Sequence, residues 1–139
     1  MAESKLFLDT NIILDFLLAR EGELNEIEEI LNMGSREKID CYISESVLAT
    51  TIYFLEKERK KNIMQMIRSI WSILKVLPLD HKVLYSSIEI YTDLEDGLLF
   101  FVAEFHKMDF FITRNTKDFK NAPSSLPVLT PSQFIKLFK

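Results

Sequence analysis

Lys5-Leu6-Phe7-Leu8-Asp9-Thr10-Asn11-Ile12-Ile13-Leu14-Asp15 is the stretch on which the reading of this chain turns. A short apolar run stops at an acid, and from Ile12 to Ala19 the apolar positions recur at helical spacing. The stretch reads as strand, turn, helix, with Asp9 at the carboxyl end of the strand.

Working outward, Leu24, Ile27, Ile30 and Leu31 share one face of a second helix, and Gly34 stands where that helix is expected to stop. Ile39, Cys41 and Ile43 alternate as in a strand, with Cys41 a small buried hydrophobe. From Ser46, Leu48, Ile52 and Leu55 are helical up to the charged run Glu56 to Lys61. Ile63, Met66, Ile67, Ile70 and Leu74 then resume the period, predicting two helices or one with a break. Val76 to Leu79 reads as a strand, and Asp80 as the N-cap of a helix carrying Leu84, Ile88 and Tyr91. Thr92 and Glu95 have capping-box spacing, opening a helix with Leu98, Leu99, Val102 and Phe105 on its buried face and an end near Lys107. Phe110 to Ile112 and Val128-Leu129 are the last strands. Thr130-Pro131-Ser132-Gln133 opens a terminal helix seated by Phe134, Ile135 and Phe138. Trp71 and the many Phe residues occupy helix and strand positions and are assigned to the core rather than to base stacking.

Short apolar strands alternating with helices predict parallel βαβ units, hence an α/β fold with an open sheet and helices on both faces. No repeat, low-complexity tract or linker divides residues 1–139, so one domain is expected. Eleven Phe against three Gly and four Pro, within 47% apolar composition, exclude a disordered chain. One cysteine cannot form an internal disulfide, which predicts a reducing, cytoplasmic setting. No uncharged run approaches the roughly 20 residues that span a bilayer, and the first residues lack the apolar centre of a signal peptide. The net charge of −4 runs against a uniformly basic nucleic-acid surface, so the distribution of charge matters more than its sum.

That distribution is uneven. In parallel open sheets the functional crevice lies beyond the carboxyl ends of the strands. Asp9 follows the first strand, Glu45 the second, and Asn115 and Asp118 the strand ending at Ile112; Asp93, Glu95 and Asp96 open the helix before it. Crowded carboxylates raise one another's pKa or require a cation. With oxygen donors and no His or Cys cluster, Mg²⁺ or Mn²⁺ suits them better than zinc, as one ion or two. The chemistry implied is phosphoester hydrolysis, with water activated for in-line attack.

These residues carry a family resemblance. Leu8-Asp9-Thr10-Asn11-Ile12-Ile13-Leu14-Asp15 resembles the opening motif of PIN-domain proteins, which include the VapC-type toxins. Ile43-Ser44-Glu45 resembles the family's second acidic motif, Asp93-Leu94-Glu95-Asp96-Gly97-Leu98 its third, and Ile112-Thr113-Arg114-Asn115-Thr116-Lys117-Asp118-Phe119 its fourth. The resemblance implies a PIN-like three-layer α/β/α fold and a divalent-metal-dependent endoribonuclease acting on phosphodiester bonds in RNA. It implies Asp9, Glu45 and Asp96 as metal-binding catalytic acids, with Asn11 and Thr113 lining the site. Many relatives carry an acid where this chain has Asn115, so Asp118 and Asn115 are alternative occupants of the fourth position, and Asp93 is a further outer ligand. A small antitoxin partner and a homodimer are also implied.

Each motif has a plainer reading. Asp9 and Ser44 are helix N-caps in form, Glu45 suits a first turn, Asp118 suits a turn, and Glu95 is assigned to its capping box with Thr92. Asp15 can face crevice or solvent. Lys57 to Lys61 suits a solvated helix end, whereas Arg114, Lys117 and Lys120 flank the cleft where a phosphate backbone would pass, joined by Lys107 if folding brings it near. A haloacid-dehalogenase-type phosphatase also places Asp after its first strand, but it needs a second Asp where this chain has Asn11. The remaining alternative is a catalytically inactive PIN-fold binding module.

Overall fold

The computed structural model describes residues 4–82, 94–120 and 125–138. The expected helix with Leu84, Ile88 and Tyr91, the Thr92 half of the capping box, and Asp93 lie outside the described residues.

Strand β1 (Lys5–Leu8) leads into helix α1 (Thr10–Leu17), which starts earlier than its apolar period because the Asp9 carboxylate accepts from the Thr10 backbone N–H. Helix α2 (Leu24–Ser35), strand β2 (Asp40–Ser44) and helix α3 (Glu45–Lys57) follow. Ser44 caps α3 by accepting from the Val47 N–H at 3.2 Å. Helix α4 (Ile63–Trp71) and strand β3 (Leu74–Leu77) complete the first half, so the middle of the chain holds two helices. Helix α5 (Leu94–Phe105), strand β4 (Phe110–Ile112), a 3₁₀ turn (Thr116–Phe119), strand β5 (Val128–Leu129) and helix α6 (Pro131–Phe138) form the second.

Local expectations shift in several places. The strand expected at Val76 to Leu79 is Leu74–Leu77, with Leu79 47% exposed beyond Pro78, and Phe105, expected on the buried face of α5, is 47% exposed at its last turn. Gly34 lies inside α2 rather than beyond it. A Cβ there would stand 3.1 Å from Ile73 Cγ2 and 3.2 Å from Cys41 Sγ, so the glycine lets the helix approach β2. Leu74 opens β3 instead of closing α4: it is buried and pairs with Cys41, and an inward strand residue satisfies the same apolar spacing as one more helical turn. Trp71 is 61% exposed, one residue past the inward Ile70, so it is not core. The terminal helix opens as expected, with reciprocal bonds from Thr130 N–H to Gln133 Oε1 (2.9 Å) and from Gln133 N–H to Thr130 Oγ1 (3.2 Å).

All described strand pairs are parallel, in the order β3-β2-β1-β4-β5. The chain moves outward from β1 through β2 to β3, then crosses back to β4 on the other side. Right-handed crossovers therefore put α5 on the opposite face of the sheet from α1 to α4. Neighbouring residues of β4 display the layers: Phe110 meets Phe134 of α6 (5.5 Å between ring centres), while Phe111 stacks on Phe7 (5.3 Å) and meets Phe100 of α5 (5.5 Å). Successive strand side chains point to opposite faces, so α6 and α5 sandwich the sheet in a three-layer α/β/α arrangement. Leu6, Phe7, Leu8, Phe100, Phe111 and Phe134 are completely buried between them. The Cys41 thiol lies in this core, where burial pushes its pKa up to about 12. Among the described residues no helix is long and apolar enough to cross a membrane.

Candidate active site

Because the described strands all run the same way, their carboxyl ends meet at one edge of the sheet. The strand order reverses at β1, whose neighbours β2 and β4 are reached by crossovers in opposite directions, and in open parallel sheets this switch point, beyond the β1 and β4 ends, is where the functional crevice is expected. Asp9 follows β1 and Thr113 follows β4, and the two meet side by side at this edge.

The Asp9 backbone N–H donates to the Ile112 carbonyl at 3.0 Å, continuing the β1–β4 ladder one step and fixing the side chain over the crevice. One carboxylate oxygen accepts from the Thr10 N–H at 2.7 Å, and the other from the Thr113 hydroxyl at 2.8 Å. Asp9 is only 8% exposed. Burial raises its pKa above the ordinary aspartate value; the bonds from Thr113 and Thr10 oppose the rise, and the charges of Glu95 and Asp118 add to it. Among the described residues no cation is one of the groups that shift it. Beside it the Thr10 hydroxyl is buried without a hydrogen-bond partner among the described residues.

The segment after β4 is tied together locally. The Asn115 N–H donates to Thr113 Oγ1 at 3.2 Å, and the Asn115 amide donates to Asp118 Oδ2 at 2.8 Å. Arg114 reaches in the other direction, its Nη1 lying 3.1 and 3.3 Å from the two oxygens of Asp15 on α1.

A PIN domain family model matches residues 5–117. The chain belongs to the PIN-domain family. Solved structures agree on the PIN fold. VapBC2 from Rickettsia felis, bound to a DNA fragment from its promoter, is similar with a TM-score of 0.72 and 23% identity over 91% of this chain and 98% of that one. A toxin-antitoxin complex from Klebsiella pneumoniae gives 0.67 and 25% over 91% and 97%. VapC20 from Mycobacterium tuberculosis, a sarcin-ricin loop cleaving toxin, gives 0.66 and 11% over 88% and 98%. No curated protein matches the chain in sequence.

On this PIN scaffold the sequence-derived candidates fall into distinct settings. Asp9, Thr113, Asn115 and Asp118 gather at the β1/β4 edge. Asp96 is half-buried in the first turn of α5, beside the exposed Glu95. Glu45 is exposed in the first turn of α3, past the end of the neighbouring β2. Asn11 is half-buried in the first turn of α1, and Lys117 is exposed on the 3₁₀ turn. Lys107 precedes β4 and so sits at the opposite sheet edge, away from the crevice.

Sequence reasoning passed over two features. Glu95, assigned to a helix cap, is a carboxylate whose charge reaches Asp9; adjacent acids on one helical turn give no periodicity by which to choose between them. Asp15 is a buried partner of Arg114, which no local spacing could indicate across 99 residues.

Among the described residues no three His, Cys, Asp or Glu side chains converge closely enough to grip an ion as they stand. The donor chemistry nonetheless fits a hard divalent cation: a buried carboxylate, two more carboxylates within electrostatic range, and an unpartnered hydroxyl, all oxygen.

Proposed function

We propose that this chain is a divalent-metal-dependent endoribonuclease that hydrolyses phosphodiester bonds in RNA, as the toxin of a toxin-antitoxin pair. The observation carrying this reading is Asp9: a buried carboxylate at the switch point of a PIN sheet, within the field of other acids and, among the described residues, shifted by no cation. Asp9 would hold Mg²⁺ or Mn²⁺, with further oxygen ligands drawn from Asp96, Glu95 and Asp118, and with Glu45 at the rim. Such an ion, when bound, supplies Lewis acidity for attack of water on phosphorus. Thr113 and the Thr10 N–H hold the Asp9 carboxylate in one orientation, so its lone pairs are preset rather than searched for. Asn115 holds Asp118 against the same edge. Lys117 and Lys120, exposed next to the crevice, supply positive charge for the RNA backbone.

The kinship with toxin-antitoxin complexes supports a small antitoxin partner, and the toxin reading carries with it a homodimer and a cytoplasmic setting. A second reading, a PIN-fold binding module without turnover, draws support from Asn115 standing where many relatives have an acid. The test is incubation with a panel of single-stranded RNAs plus Mg²⁺ or Mn²⁺, then with EDTA, with Asp9→Asn and Asp96→Asn in parallel. Metal-dependent cleavage lost in both variants is expected; no cleavage together with no Mn²⁺ binding by the folded wild type would favour the binding module.

A further inference from the structure

Thr113 and Arg114 are consecutive, yet both side chains end on α1: Thr113 on Asp9 at the helix N-cap, Arg114 on Asp15 six residues later. Asp15 is 5% exposed, and behind it Arg20 Nη1 lies 3.5 Å from Asp15 Oδ1 while Arg20 Nη2 lies 3.6 Å from Glu58 of the α3 C-cap. Ala19, at φ 51°, turns the chain sharply enough after α1 for Arg20 to fold back in this way. A line of alternating charge, Glu58, Arg20, Asp15, Arg114, thus runs from the end of α3 across α1 to the end of β4.

We propose that Asp15 and Arg114 are positioning residues: their ion pair seats the segment 113–118 on α1 and thereby holds Thr113, Asn115 and Asp118 in register with Asp9. Thr113 is held by its N–H on the Leu129 carbonyl and its hydroxyl on Asp9, and Phe119 is buried against Phe111 at the other end, so the exposed stretch between these anchors is what the Arg114 contact ties to α1. Arg114 acts here through the loop it anchors, its Nη1 directed at both oxygens of a buried carboxylate.

This inference rests on the ribonuclease reading, and it differs in sign from the alternative in which Arg114 binds an RNA phosphate. Asp15→Asn keeps the size of the side chain and removes its charge. If Arg114 were a phosphate ligand, this change would release it and tighten RNA binding. For a positioning pair, RNA binding stays the same and turnover falls.

The experiment compares wild type, Asp15→Asn, Arg114→Gln, Arg114→Lys and the Asp15→Asn/Arg114→Gln double variant. It measures kcat with Mn²⁺, the Kd for single-stranded RNA in EDTA across a salt series, and amide hydrogen exchange at Asn115 without metal. Expected are a roughly tenfold fall in kcat for Asp15→Asn and for Arg114→Gln, a double variant no worse than either, and partial retention by Arg114→Lys. The RNA Kd and its salt slope stay unchanged, and Asn115 exchanges faster, because its N–H bonds to Thr113. Tighter RNA binding by Asp15→Asn, or a salt slope lowered by about one in Arg114→Gln, overturns the proposal. If the wild type cleaves no RNA, the ribonuclease reading fails separately, and the pair is judged on exchange: unchanged Asn115 protection in both single variants overturns it.

Discussion

Asp9 caps the short helix that carries Asp15, and the two are about equally buried, at 8% and 5% exposed, yet they live in opposite electrostatic surroundings. Asp15 is met by two guanidinium groups. Asp9 is met by two hydrogen-bond donors and by the charges of Glu95 and Asp118, and burial holds its pKa up. Burying a carboxylate is costly unless a cation compensates it, and at Asp15 the protein supplies that cation itself. At Asp9 none of the described residues does so. The difference separates a carboxylate that organises structure from one left available to an external positive charge, although sequence makes them look like two acids of one motif.

The comparison breaks most visibly in catalysis. Asp9→Asn is expected to lower RNA cleavage by roughly a hundredfold to a thousandfold, against about tenfold for Asp15→Asn, as measured by single-turnover kinetics. Equal losses would mean that the two aspartates do not differ in role. The next effect is thermodynamic. Mn²⁺ at about one hundred times its Kd should stabilise wild type and Asp15→Asn by about 2.7 kcal/mol in thermal melts, and Asp9→Asn hardly at all.

Removing the Thr113 hydroxyl tests what holds Asp9 in its charged form. That hydrogen bond favours the carboxylate, so Thr113→Val should raise the Asp9 pKa further and move the acid limb of the pH–activity profile to higher pH. An unmoved limb would detach Asp9 from that titration. The smallest expected effect is on the stability of the metal-free protein. Since the Asp9 pKa is raised on folding, the folded state holds the proton more tightly than the unfolded chain. Its contribution is therefore fully present below the ordinary aspartate value and is lost as pH rises through the folded value. Chemical denaturation across that window should show wild type losing stability relative to Asp9→Asn as pH increases; parallel curves would contradict the raised pKa.

Much of the fold was legible because its signals are local. The apolar run before Asp9, the alternation around Cys41, the capping box at Thr130 and Gln133, and the apolar Phe110 to Ile112 each follow from a few neighbouring residues. The errors have two physical origins. Leu74 and Trp71 lie where α4 gives way to β3, and an inward position of a strand or an outward position of a helix end mimics continued helical spacing. Gly34 was read as a helix stop because its actual constraint, close approach of Ile73 and Cys41, comes from residues distant in sequence. At the candidate site, the strand-end rule anticipated that Asp9, Asn115 and Asp118 share one edge, since parallel strands bring their ends together whatever the details of packing.

The sequence alone determined the alternation of strands and helices, the position of Asp9 at a strand end, and the family, because these depend on residue order and short-range periodicity. Only the tertiary structure decided which acids share an environment. It set β4 beside β1, carried Thr113 to Asp9 and Arg114 to Asp15 across about a hundred residues of chain, and brought the charge of Glu95 to bear on Asp9. The physical reason is that a carboxylate's role is fixed by its desolvation and by the charges around it, and both are properties of neighbours in space.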